Sequence, residues 1–400
     1  MSSSLKQTLV MTKANLLSLP RRLPIAASMA LSISLVVCVL SGFLSMATGF
    51  EKALQSAGST SVAVILGGGT NQENGSEVPA DALRSLEAIQ GDIGVARDAT
   101  GNMLLSKEIV IPVQMQKEQS TFSKVVALRG MDPTGPTLRD GITLSEGRLP
   151  APGAREIVVG KQILANFPEL AMGRDARLGP VTWTVVGHFT SGGSAFESEI
   201  WTDFDAARSA FDRMGEIQSV RLRLADASGL ARLQQALGNL SATPLAALTE
   251  ADLYASQSDR TATLIRMFGW PLALLMAIGA TAGALNTMMS SLSDRKIEVA
   301  TLRALGFGRI PAFLATWVEA MVLATIGVGI GLLASWLLFN GWQASTVGSN
   351  DVSISFQLTI DRTVMLTAGV LGLLVGVVGG ALPALSATRL PVIIALRAHG

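Results

Sequence analysis

The chain has 400 residues, 31 basic and 30 acidic side chains, and a formal net charge of +1. That balance excludes the basic field of a general nucleic-acid binder. One cysteine and two histidines exclude an intrachain disulfide and a thiolate or multi-histidine zinc centre.

Only 15% of residues are charged and 49% are hydrophobic, with a mean hydropathy of +0.43. A polar globular domain averaged with several membrane helices has this composition. Residues 1–22 carry Lys6, Lys13, Arg21 and Arg22 and read as a cytoplasmic amphipathic segment. The uncharged stretch that follows, 23–50, is about twice the ~7–15-residue core of a secretory signal, so it predicts an uncleaved first span. Cys38 lies inside it and reads as a small apolar side chain.

Residues 51–265 read as a mixed α and β domain. Strand-like segments occur at Ser61–Leu66, Glu108–Val113, Lys124–Arg129, Glu156–Val159, Val181–Val186 and Val220–Leu224, separated by turn signals such as Asp132-Pro133 and Gly192-Gly193. Helical patterns cover Pro79–Ile89, Asp203–Arg213 and Gly229–Leu240, the second capped by Thr202 or Asp203. Tyr254, Ser258, Thr261, Leu264, Ile265 and Phe268 recur at helical spacing, which predicts a strut running on into Trp270. The triplet Gly67-Gly68-Gly69 is a loop, because no G-x-x-x-x-G-K-[ST] is present and Gly160-Lys161 is followed by Gln162. His188 reads as an exposed strand-end residue, and no catalytic constellation is found.

The remainder alternates spans and short connections: a second span at 266–292, a cytoplasmic loop at 293–310, a third span at 311–339, an outer loop at 340–362, a fourth span at 363–387 and a cytoplasmic tail at 388–400. Lys6, Lys13, Arg21 and Arg22, then Arg295, Lys296, Arg303 and Arg309, then Arg389 and Arg397 flank the span ends on one side. The 340–362 loop has only Arg362. The positive-inside rule therefore puts both termini in the cytoplasm and the large domain outside. The predicted fold class is membrane α-helical, with four transmembrane helices and a large α+β extracytoplasmic domain inserted between helices 1 and 2.

The 293–310 loop is the most specific segment. Charges at Asp294, Arg295, Glu298 and Arg303 surround Ile297, Val299, Leu302 and Leu305, and Gly306 and Gly308 end the helix before Pro311 opens the next. A surface helix accounts for the charges but not for the order Glu298-Val-Ala-Thr-Leu-Arg-Ala-Leu-Gly306. This order resembles the signature of FtsX-like, or MacB-like, permeases of the ABC transporter superfamily. Glu319-Ala320 with Gly327, Gly329 and Gly331 continues the likeness, as do Gly379-Gly380-Ala381-Leu382-Pro383-Ala384 and then Ala387, Pro391, Leu396 and Arg397. In the outer domain, Gly130-Met-Asp-Pro133, Gly147-Arg148, Glu156–Gly160 and Trp183–Gly187 look like the MacB-like periplasmic domain.

The resemblance implies an inner-membrane permease subunit, itself not an enzyme, working as a homo- or heterodimer with two copies of an ABC ATPase. The partner would bind ATP and magnesium, and this chain no cofactor. The implied ATPase-coupling residues are Arg295, Glu298, Leu302, Arg303, Leu305 and Gly306, with Leu5–Leu19 seated on the ATPase beside them. ATP-driven closure would move the outer domain through the strut, for export of an amphiphile such as a lipid, lipoprotein, peptide or drug. A periplasmic adaptor and membrane lipid are further expected partners, and nucleic acid is not. Signalling to a periplasmic cell-wall hydrolase, and an ATPase-independent sensor or scaffold, are the alternatives.

Glu319 is the one acidic residue inside the spans. An intramembrane carboxylate costs roughly 2.5 kcal/mol or more near the bilayer centre, less near its face, and serves either a structural or coupling hydrogen bond or a proton relay. The pairs Gly279 and Gly283, Gly327 and Gly331, and Gly376 and Gly380 keep a small-x-x-x-small rhythm. That rhythm suits helix packing, within a subunit or across a dimer, and Pro383 follows in the same stretch.

Overall fold

The computed structural model describes residues 2–116, 123–238, 240, 244–348 and 352–389. In chain order it contains α1 (Ser2–Ser18), a 3-10 turn (Leu19–Arg22), α2 (Leu23–Gln55), β1 (Val62–Gly67), α3 (Ala80–Glu87), β2 (Leu105–Gln116), β3 (Ser123–Met131) and α4 (Gly135–Leu138). Then come β4 (Thr143–Gly147), β5 (Glu156–Gly160), α5 (Lys161–Asn166), β6 (Asp175–Leu178), β7 (Val181–Thr190), a 3-10 turn (Ala195–Ser198), β8 (Glu199–Asp203), α6 (Phe204–Ala210) and β9 (Ser219–Arg223). The chain continues with α7 (Gly229–Gly238), β10 (Leu245–Thr249), α8 (Glu250–Asp294), α9 (Lys296–Ala304), α10 (Arg309–Phe339), β11 (Gln343–Val347), β12 (Ser353–Gln357) and α11 (Arg362–Arg389). The tail motif residues Pro391, Leu396 and Arg397 lie outside the described residues.

Two compact units emerge: Met1–Ala47, Leu264–Trp342 and Thr359–Gly400 form one, and Thr48–Thr263 with Gln343–Leu358 the other. The helical unit holds the apolar parts of α2, α8, α10 and α11, four helices long and apolar enough to cross a bilayer. Its core is built largely from small and β-branched side chains, including Ala26, Ile33, Val37, Ala284, Ala320 and Ala324. Close approach is enforced by glycine. A Cβ at Gly327 would stand 2.6 Å from the Ala30 carbonyl oxygen and one at Gly331 2.7 Å from that of Ser34, so α10 packs on α2. A Cβ at Gly376 or Gly380 would likewise collide with Ala324 or Ala320, so α11 packs on α10. Gly279 faces open space. Pro383 sits inside α11, where it removes one backbone bond.

The second unit is built on a ten-stranded sheet in the order β10-β1-β9-β2-β3-β8-β5-β7-β4, with β6 on β7. Most pairs are antiparallel, but β3 with β8 and β5 with β7 are parallel. Period-two alternation sends Ile109, Ile111, Leu128, Ile200, Val220 and Leu222 to one face, where they pack with residues of α3, α6 and α7. Asp203 caps α6, its carboxylate accepting from the Ala206 amide at 3.0 Å. The β11–β12 hairpin belongs to this unit rather than forming a plain loop between spans. Ser198 Oγ donates to the Ser355 carbonyl at 3.1 Å and accepts from its amide at 2.9 Å, and Val352 packs on Val110 and Ala127.

His188 is not exposed, as the sequence suggests, but buried. Its Nε2 lies 2.9 Å from the carbonyl of Leu170, in the segment between α5 and β6 that covers it.

Candidate functional site

The loop between α8 and α10 is a short helix between two designed breaks. Arg295 interrupts the helical path with φ −108° and ψ 11°, and α9 restarts at Lys296. At the other end the Gly306 amide donates to the Arg303 carbonyl at 3.1 Å and the Phe307 amide to that of Leu302 at 3.2 Å. This pair of bonds is a Schellman cap, and it needs Gly306 at φ +97°, a conformation L side chains resist. The end of the signature is therefore fixed by backbone geometry.

The side chains of α9 divide by direction. Val299 packs with Leu292 of α8 and Ala387 of α11. Leu302 packs with Met11 of α1 and with Ala312 and Ala315 of α10. Arg303 Nη1 donates to the Thr388 carbonyl at 3.0 Å, placing a cation at the C-terminal end of α11 where the helix dipole favours it. Ile297, Glu298 and Leu305 point away from this packing, and Leu305 is 72% exposed. Arg22 Nη2 reaches the exposed Glu298 at 3.8 Å, a long pairing of little energetic weight. The loop helix thus touches α1, α8, α10 and α11 while presenting an acid and two apolar side chains outward.

Arg295 and Glu319 meet at the break itself. Arg295 Nη2 donates to both Glu319 oxygens, at 2.8 and 2.6 Å, and both side chains are almost wholly buried. Ser291 Oγ accepts from Arg295 at 3.4 Å. Arg22 Nη1 donates to the Ser291 carbonyl at 3.3 Å. A carboxylate in an apolar helix is stabilised when a guanidinium neutralises it, and here that guanidinium comes from the hinge residue of the loop.

A second buried ionic cluster occupies the other face of the sheet. Arg129 Nη1 donates to Glu73 and Glu108 at 2.8 and 2.9 Å, and its Nη2 to Glu199 at 2.7 Å. Arg139 donates to Glu108 at 2.7 Å. Arg221 donates to Glu73 at 2.8 Å, to Glu108, to Glu250 at 2.9 Å and to the Tyr254 hydroxyl at 3.2 Å. Burial opposes ionisation of Glu108, but Arg139, Arg221 and Arg129 together outweigh it and hold the carboxyl down at about 2. Burial likewise opposes ionisation of Glu73, and Arg129 with Arg221 carries it well below the usual range. Glu250 differs, since burial exceeds the pull of Arg221 and raises it. Glu250 and Tyr254 are the first turns of α8, so the cluster ties that helix to β2, β3, β8 and β9.

Sequence reasoning did not find this cluster. Ser106 and Glu108 alternate with Lys107 and Ile109 as residues of a water-facing strand surface do. Only the cover supplied by segments far along the chain makes that face interior.

The described residues thus combine four helices long and apolar enough to cross a membrane, a short amphipathic connection and a separate α+β unit. Residues 271–392 match the FtsX-like permease C-terminal family. The macrolide export ATP-binding/permease protein MacB of Hahella chejuensis is 24% identical over 372 residues, covering 83% of this chain and 54% of that protein. MacB of Bordetella avium is 24% identical over 202 residues, covering 50% and 30%. The chain thus spans about half, or less, of the length of these curated relatives. Among solved structures, the extracellular domain of the noncanonic ABC-type transporter YknZ from Gram-positive bacteria has a TM-score of 0.36 at 13% identity, covering 47% of this chain and 100% of that domain. The periplasmic region of MacB from Actinobacillus actinomycetemcomitans has 0.35 at 11% identity, covering 51% and 94%. The C-terminal part of the chain is thus similar to FtsX-like permeases, and most of its length is similar to part of MacB proteins.

Proposed function

We propose that this chain converts ATP hydrolysis on an ABC ATPase into movement of its α+β unit, as one of two permease subunits in a bacterial inner membrane. Both termini and α9 would face the cytoplasm, and the unit carrying the ten-stranded sheet would lie outside, as the flanking lysines and arginines favour. ATP and magnesium would bind to the ATPase and not to the residues described above.

The observation that carries this reading is the construction of α9. Its inward residues grip α1, α8, α10 and α11, and its outward residues Ile297, Glu298 and Leu305 remain open to a partner. A push on that face would reach the helices through Val299, Leu302 and Arg303, and through the Arg295–Glu319 pair at the hinge. The same pair neutralises Glu319, the one acidic residue among the spans, so that carboxylate is not left to line a polar substrate path. This favours mechanical transmission over passage through the bilayer. The work done outside would be export of an amphiphile, with or without a periplasmic adaptor, or activation of an external cell-wall hydrolase.

The test is ATPase turnover of the reconstituted complex. Glu298→Ala with Arg303→Ala should abolish permease-dependent stimulation while the chain still inserts and folds. Unchanged stimulation would remove α9 as the contact. Affinity purification of the tagged chain should bring down an ABC ATPase in stoichiometric amount, together with whichever adaptor or hydrolase completes the system.

A further inference from the structure

The first helix carries apolar side chains on two sides. Met11 is buried against Ala312 and Ala315, and Gln7 Oε1 accepts from the Gly308 amide at 3.2 Å, which pins α1 along the first turns of α10. On the other side Leu5, Leu9 and Leu17 are 66–73% exposed. These leucines, with Lys13, Leu16 and Val318, line an open groove of about 590 Å³ between α1 and α10. That volume lies within the ~300–1,000 Å³ of small-molecule sites. The Thr12 hydroxyl also lines the groove and is shielded from solvent without a protein partner.

We propose that this groove binds one anionic glycerophospholipid of the surrounding bilayer, with its phosphate on Lys13 and its acyl chains along α10. Three observations converge on that occupant. Val318 begins a ridge at helical spacing that continues through Val322, Ile326, Ile330, Leu333 and Leu337, the last four 47–66% exposed, so the groove opens onto the apolar outer face of the helix. From Val318 to the end of α10 at Phe339 the rise is about 30 Å, the thickness of the hydrocarbon core, which sets the groove at the headgroup level. The charge is one-signed: α1 contains Lys6 and Lys13, two turns apart on one face, and no acidic residue. A water-side protein partner could cover the leucines but could not follow the ridge into the membrane. The proposal stands apart from the ATPase reading and needs no partner subunit.

The full chain is purified in mild detergent and titrated with phosphatidylglycerol or phosphatidylcholine of identical acyl chains, with retained adducts read by native mass spectrometry. One phosphatidylglycerol should be held in preference to phosphatidylcholine. Lys13→Gln should weaken it about fivefold and Lys6→Gln with Lys13→Gln further, as expected for about one neutralised contact each near an anionic surface. Lys13→Arg should retain the lipid, and Val318→Trp should expel it by filling the groove. Unchanged thermal unfolding of each variant keeps misfolding out of the comparison. Equal retention of the two lipids, or retention unaffected by both Lys13→Gln and Val318→Trp, would overturn the assignment. So would a groove whose Leu9→Cys thiol is labelled in lipid-replete protein and shielded only by an added ATPase.

Discussion

Replacing Glu108 by glutamine tests the buried cluster at its hub. Glu108 Oε2 accepts from Arg129, Arg139 and Arg221, and it is the one carboxylate bonded to Arg139 among the described residues. In Glu108→Gln, Arg139 keeps the Gly135 carbonyl at 3.0 Å and the rings of Phe196 and Trp201, but no anion. Breaking a buried pair from one side costs about 3–5 kcal/mol, because a guanidinium cannot shed its charge. The titration gives a compatible figure. A carboxyl held at about 2 against an ordinary 4.5 corresponds to about 3 kcal/mol of folding stability. Because the folded value is depressed, that contribution is complete above pH 4.5 and is lost as pH falls toward 2. Glu250 has the opposite sign, gaining stability as pH falls through its raised value; burial is the main cause, and Glu108 contributes, so in Glu108→Gln that rise shrinks. The assay is thermal unfolding of the full chain in detergent, followed by tryptophan emission, to which Trp201, donating to Glu199 in the cluster, contributes. For a unit of this size, about 2–4 °C per kcal/mol predicts a loss of roughly 6–20 °C at pH 7. The gap should close between pH 4.5 and 2. A loss under about 2 °C, or a gap independent of pH, would refute the reasoning.

Two other expectations concern the helical unit. Glu319→Leu should destabilise the chain by about 3–5 kcal/mol, and adding Arg295→Met should recover part of that loss in a double-mutant cycle with the two single variants; additive single losses would show that the pair is not coupled. Gly331→Leu should cost about 1–3 kcal/mol or more, since the carbonyl of Ser34 at 2.7 Å cannot move aside, whereas Gly329→Ala, with nothing within 4 Å, should be near neutral. Thermal unfolding of the two glycine variants side by side checks this, and equal losses would contradict the assigned packing.

What could be read from the chain was local. The charge-free stretches identify apolar helices because composition alone decides them, and Gly306 marks the end of α9 because the cap it makes is written in neighbouring residues. The strands β2, β3, β5, β7 and β9 follow from β-branched runs, but β8 is hidden behind the cap signal at Asp203, and β11 and β12 are short and polar. The pairings were not legible. Glu319 finds its partner at Arg295 across a helix break, Arg303 finds a carbonyl at Thr388, and Arg221 meets Glu73 across a separation of 148 residues. Each depends on which surfaces come to cover one another, and a single sequence does not carry that information for charged side chains.

The β11–β12 hairpin has a consequence for how the chain is made. Ser198 waits for Ser355, 157 residues later, and Val110 and Ala127 wait for Val352. During synthesis α8 and α10 leave the ribosome first, so that patch of the sheet stays bare until the last third of α10 has been made and the hairpin follows. Contacts of such long separation form slowly. The nascent chain therefore passes through a stage in which its sheet is assembled but unsealed, and that stage is its window of exposure to chaperones and proteases.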